Sequence, residues 1–410
     1  MCSRNSLKKN RNRRAIIQVN KKFDIIQNPF RPKGFFFDMR SAALSIVLIL
    51  LLAGCEKAEP VVEARPVPKK HSHHKVTAVA IAPKPKDTIT IAAVGDMMLG
   101  SAYPDRSKLP PDSAKESFNA VKSDLKGSDI VFGNMEGTLL DAGVPATYKK
   151  NLKAAYLFRM PTYYARVFKD AGFNMVSVAN NHITDFGEKG YLSTTATLDK
   201  YGIHYAGLET CPTTIFEKDG IKYGFCAFAP NAHAVPLLEL RHAAKIIREL
   251  KAQCDIVIVS FHGGGEGAAY EHVPFKMESF LGAKRGNVHA FTHMAVDAGA
   301  DIVLGNGPHV SRALEKYKGR LIAYSLGNFC TYKSVSVAGV CGMAPLLKVK
   351  MNHNGEFISG RIISFRQNHE KGLLRDSLNS AARRIRMLTA KDFPKSGLVI
   401  GEDGVIKSMN

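Results

Sequence analysis

This 410-residue chain lacks four signals that would have fixed its class early. No cysteine spacing matches a zinc template. No apolar run is long enough to span a bilayer: the longest, SAALSIVLILLLAG, breaks off at Cys55. No internal repeat and no nucleic-acid-binding module can be recognised, so solenoids and sequence-specific DNA or RNA readers are set aside. Acidic side chains are also short, at 36 Asp plus Glu against 57 Lys plus Arg.

What is present begins with a leader. Met39-Arg40 opens a charged segment before the apolar run, and the pattern over 39–54 reads as a secretory signal. Leu52-Ala53-Gly54-Cys55 resembles a bacterial lipobox, with cleavage before Cys55 and lipid placed on it; a plain membrane anchor is the alternative. Residues 1–38 are basic without an apolar face and read as a long extension or a start assigned too early. The expected location is therefore a membrane-anchored lipoprotein facing the periplasm or cell exterior. Glu56 after Cys55 lacks the aspartate that retains lipoproteins at the inner membrane, so the outer membrane is expected where the cell has one.

Residues 1–54 hold eleven Lys or Arg against Asp24 and Asp38, a net +9 of the formal +21, leaving +12 for the rest. That excess suits anionic partners. Export argues against nucleic acid. In an oxidising compartment pairing is permitted among Cys211, Cys226, Cys254, Cys330 and Cys341, and Cys330–Cys341 is the expected bridge.

Residues 55–87 read as a Pro/Lys-rich tether, in which His71, His73 and His74 are either a solvated patch or a weak metal-binding cluster. Residues 88–366 read as one large α/β domain. PTYYARVFKDAG, LRHAAKIIRELKAQC and VHAFTHMAVDAG are helical segments, each leading into a Val/Ile-rich strand, the first and last through a capping glycine. A hairpin is expected at Asn354-Gly355. Residues 367–410 read as a basic tail with one short helix, ARRIRML.

Five polar motifs close the strand-like runs: Gly95-Asp96, Gly133-Asn134-Met135-Glu136, Asn180-Asn181-His182, His262-Gly263, and Gly305 through His309. Open α/β sheets gather ligands where strands end. Each motif alone has a bland explanation: a helix cap at Asp96, a solvated Glu136, turn-forming Asn180 and Asn181, a flexible glycine loop, a turn at His309. Together, Asp96, Glu136, Asn181, His262 and His309 form a mixed oxygen and nitrogen set suited to manganese, zinc or iron, as one or two ions. Asn134, Asn180 and Asn306 are further candidate ligands or supports. His182, beside Asn181, is the candidate proton donor. Gly263, Gly264, Gly265 and Glu266 are expected to cradle substrate or anion.

GDMMLG, GNMEG, VANNH, FHGG, GPHV and YSLGNF, in that order, resemble the bacterial capsule-synthesis CapA family. That resemblance implies poly-gamma-glutamate capsule production, a calcineurin-like metallophosphatase fold of four α-β-β-α layers, and an anionic envelope polymer or precursor as partner, with capsule-synthesis subunits beside it. It assigns ligand roles to Asp96, Asn181, His262 and His309 and proton donation to His182. Met98 and Asn306 stand where that superfamily places histidines, and Glu136 substitutes for a bridging aspartate expected at Asn134. The expected function is a metal-dependent hydrolase using an activated water; the alternative is a non-catalytic polymer-binding or assembly subunit.

Overall fold

The computed structural model describes residues 87–148 and 156–409. The 1–38 extension, the 39–54 signal, Cys55 and the tether histidines lie outside the described residues. Among the described residues no helix is long and apolar enough to cross a membrane.

Two β-sheets face each other. Across the larger, ten-stranded sheet the order is Leu398–Ile400, Val405–Ser408, Phe357–Asn368, Met343–Asn352, Thr88–Met98, Ile130–Met135, Met175–Ser177 and His204–Ala206. Asn328–Thr331 and Gly372–Arg375 pair as side branches with Thr88–Met98 and Phe357–Asn368. The six-stranded sheet runs Leu314–Tyr317, Arg320–Ala323, Ile302–Asn306, Ile256–His262, Ile221–Phe228 and Thr213–Lys218.

Alternation along the strands builds the layers, because successive side chains point to opposite faces. Ile89, Ile91 and Ala93 meet Phe225, Ile258 and Leu304 of the other sheet in a central core. Ala92 and Val94 point outward onto Phe168 and Leu198 from helices Tyr164–Ala171 and Gly187–Lys200. On the far side, Val257, Val259 and Val303 pack against Ile247 and Phe291 of helices Leu240–Lys251 and Val288–Asp297. The arrangement is the four-layer α-β-β-α sandwich expected. Strands buried on both faces explain why these runs read as continuous Val and Ile.

Two expectations are corrected. The segment after 366 is no appended tail: strand Phe357–Asn368 runs into it, and Leu398–Ile400 and Val405–Ser408 extend the larger sheet. Helix Ser380–Asp392 buries Ala381, Ala382, Ile385, Leu388 and Thr389 at helical spacing, a face masked in the sequence by Arg383, Arg384 and Arg386 between them. Cys330 and Cys341 are unbridged; the Cys330 thiol instead donates to the Ser117 carbonyl at 3.1 Å. The run LIAYSLGNF spans both sheets. Arg320–Ala323 belongs to the smaller sheet, and the chain then crosses so that Asn328–Thr331 lies parallel to Thr88–Met98.

That crossing needs Gly95. A Cβ there would stand 1.9 Å from the Gly327 carbonyl oxygen, which accepts the Asp96 N–H at 2.8 Å. Gly95→Ala is expected to destabilise the fold by about 1–3 kcal/mol or more through this backbone clash, read from a denaturant midpoint. An unchanged midpoint would contradict the close approach.

Candidate metal centre

The larger sheet delivers the acidic half of the site. Asp96 and Asn134 are register partners on parallel strands, and Glu136 follows one residue past the second strand. The smaller sheet delivers the imidazoles. His262 and Asn306 are partners at the last residues of two parallel strands. Gly307 then turns the chain at φ 107°, where a Cβ would meet the Gly263 amide at 2.8 Å, and His309 follows at φ 58°. Strand ends of both sheets thus open onto one place.

Asn134 Nδ2 donates to Asp96 Oδ1 at 2.7 Å and lies 3.3 Å from His262 Nδ1. His309 Nδ1 sits between Asn328 Oδ1 at 2.9 Å and Asp96 Oδ2 at 3.1 Å, with Glu136 Oε2 at 3.9 Å. His262 Nε2 is 3.6 Å from Glu136 Oε1. One ligand atom from each of Asp96, Glu136 and His309 falls within a 4.8 Å span.

The electrostatics follow from burial with charge. Burial pushes the Glu136 carboxyl up to about 7, with Asp96 and Glu266 adding and His309 and His182 opposing. Burial works against the His309 imidazolium, yet Glu136 and Asp96 together raise it to about 10. For His262, burial and then the positive charges of Arg285, His309 and His182 hold the pKa well below its ordinary value, leaving a neutral ring with a free lone pair.

Six buried atoms here have no hydrogen-bond partner among the described residues: Asn134 Oδ1, both Glu136 oxygens, Asn181 Oδ1, His262 Nε2 and Asn306 Oδ1. A buried polar atom left unsatisfied costs about 1–3 kcal/mol, and more when charged. Five are oxygen acceptors, and His262 Nε2 is a sixth in the tautomer that carries its proton on Nδ1, so a cation answers them together, and the donor set fits manganese, zinc or iron. Asp96, Glu136 and His309 could hold such an ion, with His262 3.6 Å from Glu136 and Asn134 hydrogen-bonded to Asp96; Asn181 lies in the wall of the cavity and Asn306 pairs in register with His262. Asn180 has a different place: its amide donates to the Met135 carbonyl at 2.9 Å and its oxygen accepts the His182 N–H at 3.0 Å. It fixes the loop that presents Asn181 and His182.

A cavity of about 460 Å³ opens over the cluster, lined by Asn181, His182, Glu266, Arg285 and His309 among others. His182 Nδ1 lies 2.8 Å from Asp185 Oδ2, and its ring rests on Phe158 at 4.1 Å between centroids. Arg285 donates from Nε to the Gly264 carbonyl, and its Nη2 lies 2.9 Å from Glu266 Oε1 without the N–H aligned for a hydrogen bond. The glycine cradle is corrected. The amides of Gly263, Gly264 and Gly265 already donate to Asn306 O, Arg285 O and Glu278 Oε1. Added Cβ atoms would strike Leu237, the Arg312 guanidinium and the Tyr270 ring, so these glycines serve close protein packing; of that group only Glu266 lines the cavity.

Asp185, Asn328 and Arg285 escaped the sequence reading. Asp185 follows His182 by three residues, a spacing that could have been paired with it. Asn328 sits inside the quoted YSLGNF motif, but only the crossing between sheets puts it opposite Asp96. Arg285 arrives on a short hairpin, Glu278–Phe280 with Ala283–Gly286, and carried no signal.

A family model described as bacterial capsule synthesis protein PGA_cap matches residues 90–333. The chain belongs to this family. Among relatives, a capsule biosynthesis protein CapA of Bacillus anthracis is 30% identical over 272 residues, covering 61% of this chain and 62% of that protein. A PGA biosynthesis protein CapA of Bacillus subtilis is 30% identical over 263 residues, 59% of this chain and 63% of that one. The match therefore spans less than two thirds of either relative. Among solved structures, a hypothetical protein from Thermus thermophilus aligns at TM-score 0.44 and 15% identity, over 68% of this chain and all of that one. The calcineurin-like phosphoesterase YfkN from Bacillus subtilis aligns at 0.39 and 15%, over 68% and 91%. No residue role follows from likenesses this distant.

Glu136 and His309 both have folded-state pKa values above their ordinary ones, 4.5 and 6.5, so the folded chain holds protons the unfolded chain has released. The depressed His262 imidazole works the other way below about 6.5 and offsets Glu136 there, so chelator-treated protein should show its net loss of stability as pH rises from about 7 toward 10, on the order of a few kcal/mol. Glu136→Gln, which removes a carboxylate that raises His309, should flatten that slope in a series of thermal melts. A wild-type stability that rises with pH over the same window would contradict these charge assignments.

Proposed function

We propose that this domain is a metal-dependent hydrolase acting on an anionic envelope polymer, or its precursor, during capsule or poly-gamma-glutamate synthesis. The protein that carries it is exported and held to a membrane through lipid on Cys55. The convergence of Asp96, Glu136 and His309, with His262 3.6 Å from Glu136 and buried atoms of Glu136 and His262 unpartnered, beneath a cavity edged by His182, carries the hydrolytic part. Family membership, the names of the two Bacillus relatives and the +12 balance beyond residue 54 support the polymer class.

A bound divalent ion supplies Lewis acidity toward a phosphoryl or acyl oxygen and toward water. The protein does the rest. Arg285 faces the cavity and draws an anionic group of the substrate toward the cluster. Asp185 engages His182 Nδ1 and so fixes the ring, leaving Nε2 as the nitrogen that can carry a proton to substrate. As water oxygen bonds to phosphorus or carbon, the bond to the leaving oxygen or nitrogen breaks and takes the His182 proton. The proton shed by the water returns to His182 Nε2. Phe158 against the ring keeps bulk water from one face of it.

The buried thioether position at Met98 favours the second reading, a polymer-binding subunit, because it withholds an imidazole from the cluster. The two separate on His182→Ala. Hydrolysis of phosphoester or amide substrates by the metal-loaded protein should fall by about 10²–10⁴-fold with metal content unchanged. Undiminished turnover in that variant would remove His182 from the chemistry. Absence of turnover in metal-loaded wild type would leave the binding reading.

A further inference from the structure

We propose a second, separate transition-metal site on the outer face of the smaller sheet, formed by His289, His293 and Glu315 and taking zinc. His289 and His293 stand four residues apart on helix Val288–Asp297 and so share one face. Glu315 comes from strand Leu314–Tyr317 at the edge of the sheet. One ligand atom from each lies within a 4.8 Å span, and His293 Nε2 is 2.9 Å from Glu315 Oε2.

The surroundings are those of a held ligand set. The Tyr324 hydroxyl donates to the same Glu315 oxygen at 2.8 Å, and Thr292 donates to Tyr324 at 3.2 Å, so the carboxylate is oriented by a relay of outer partners. Rings flank both imidazoles: His289 stacks on Phe275 at 4.1 Å and His293 on Tyr317 at 3.8 Å. Asn287 caps the helix by accepting the Ala290 N–H, which fixes the turn bearing His289. A surface His–Glu ion pair would account for His293 and Glu315 but gives no reason for a second imidazole at 4.1 Å from the first.

Two imidazoles and one carboxylate are a three-ligand zinc set that leaves a fourth position for water. None of the three residues lines the cavity over the central cluster. The site nevertheless brackets that cluster in sequence: the helix leads into strand Ile302–Asn306, and Glu315 follows the turn that presents His309. Zinc here would clip helix to strand on either side of the Asn306–His309 segment, so its role is to stiffen that segment.

The test uses the full chain without a histidine tag, stripped with chelator and titrated with zinc chloride against a chromogenic competitor. The His289→Asn/His293→Asn variant should lose about one equivalent of tight zinc relative to wild type, together with a zinc-dependent rise in Tm. His262→Ala should retain that equivalent, which separates this site from the central cluster. Should the double variant fail to fold by far-UV circular dichroism, Glu315→Gln decides, with an expected affinity loss of about tenfold or more. Equal zinc binding by a folded double variant, or by Glu315→Gln, would overturn the proposal.

Discussion

Because Gly95 carries no side chain, the Asp96 N–H reaches the Gly327 carbonyl at 2.8 Å and the strand Asn328–Thr331 can lie beside Thr88–Met98. The whole site depends on that approach. The chain from the smaller sheet, having just presented Asn306 and His309, is carried directly onto the strand that presents Asp96. Asn328 arrives opposite Asp96 and accepts from His309. Without the crossing, the imidazoles would belong to one sheet and the carboxylates to another, with no shared ion to organise.

Having been brought together, the groups are poorly satisfied by the protein alone. Glu136 is fully buried, both its oxygens lack donors, and its carboxyl is pushed up to about 7. His262 is held neutral with Nε2 unpartnered. A core arranged for stability would pair these groups or replace them. The departures at Met98 and Asn306 weaken the set without emptying it. Asn306 donates its amide to Ser260 and the Leu304 carbonyl, leaving its oxygen free. Met98 is buried and offers only a soft thioether. The balance of donors is therefore harder, richer in oxygen, than the resemblance alone implied.

Much of this was legible in the sequence because buried strands announce themselves by composition and their ends by polar residues. Asp96, Glu136, Asn181, His262 and His309 follow from that rule, while helix Tyr164–Ala171 and the hairpin at Gly355 were legible from the glycines that close or turn them. What escaped depended on tertiary paths. The three glycines after His262 looked like an open anion loop, yet Arg312 and Tyr270, distant in sequence or reached by a turn, fill the space over them. Helix Ser380–Asp392 has a buried face, but its charges disguised it as a basic tail. His289 and His293 lay in VHAFTHMAVDAG, a segment read only as helical. Only strand Leu314–Tyr317 supplies the carboxylate that gives them a use.

The most direct measurement is the metal content of the protein purified without chelator, wild type against His262→Ala. The central cluster as described predicts stoichiometric manganese, zinc or iron in the wild type, with a deficit in the variant that added metal does not restore. A folded wild type that carries no such metal and takes none up would contradict it.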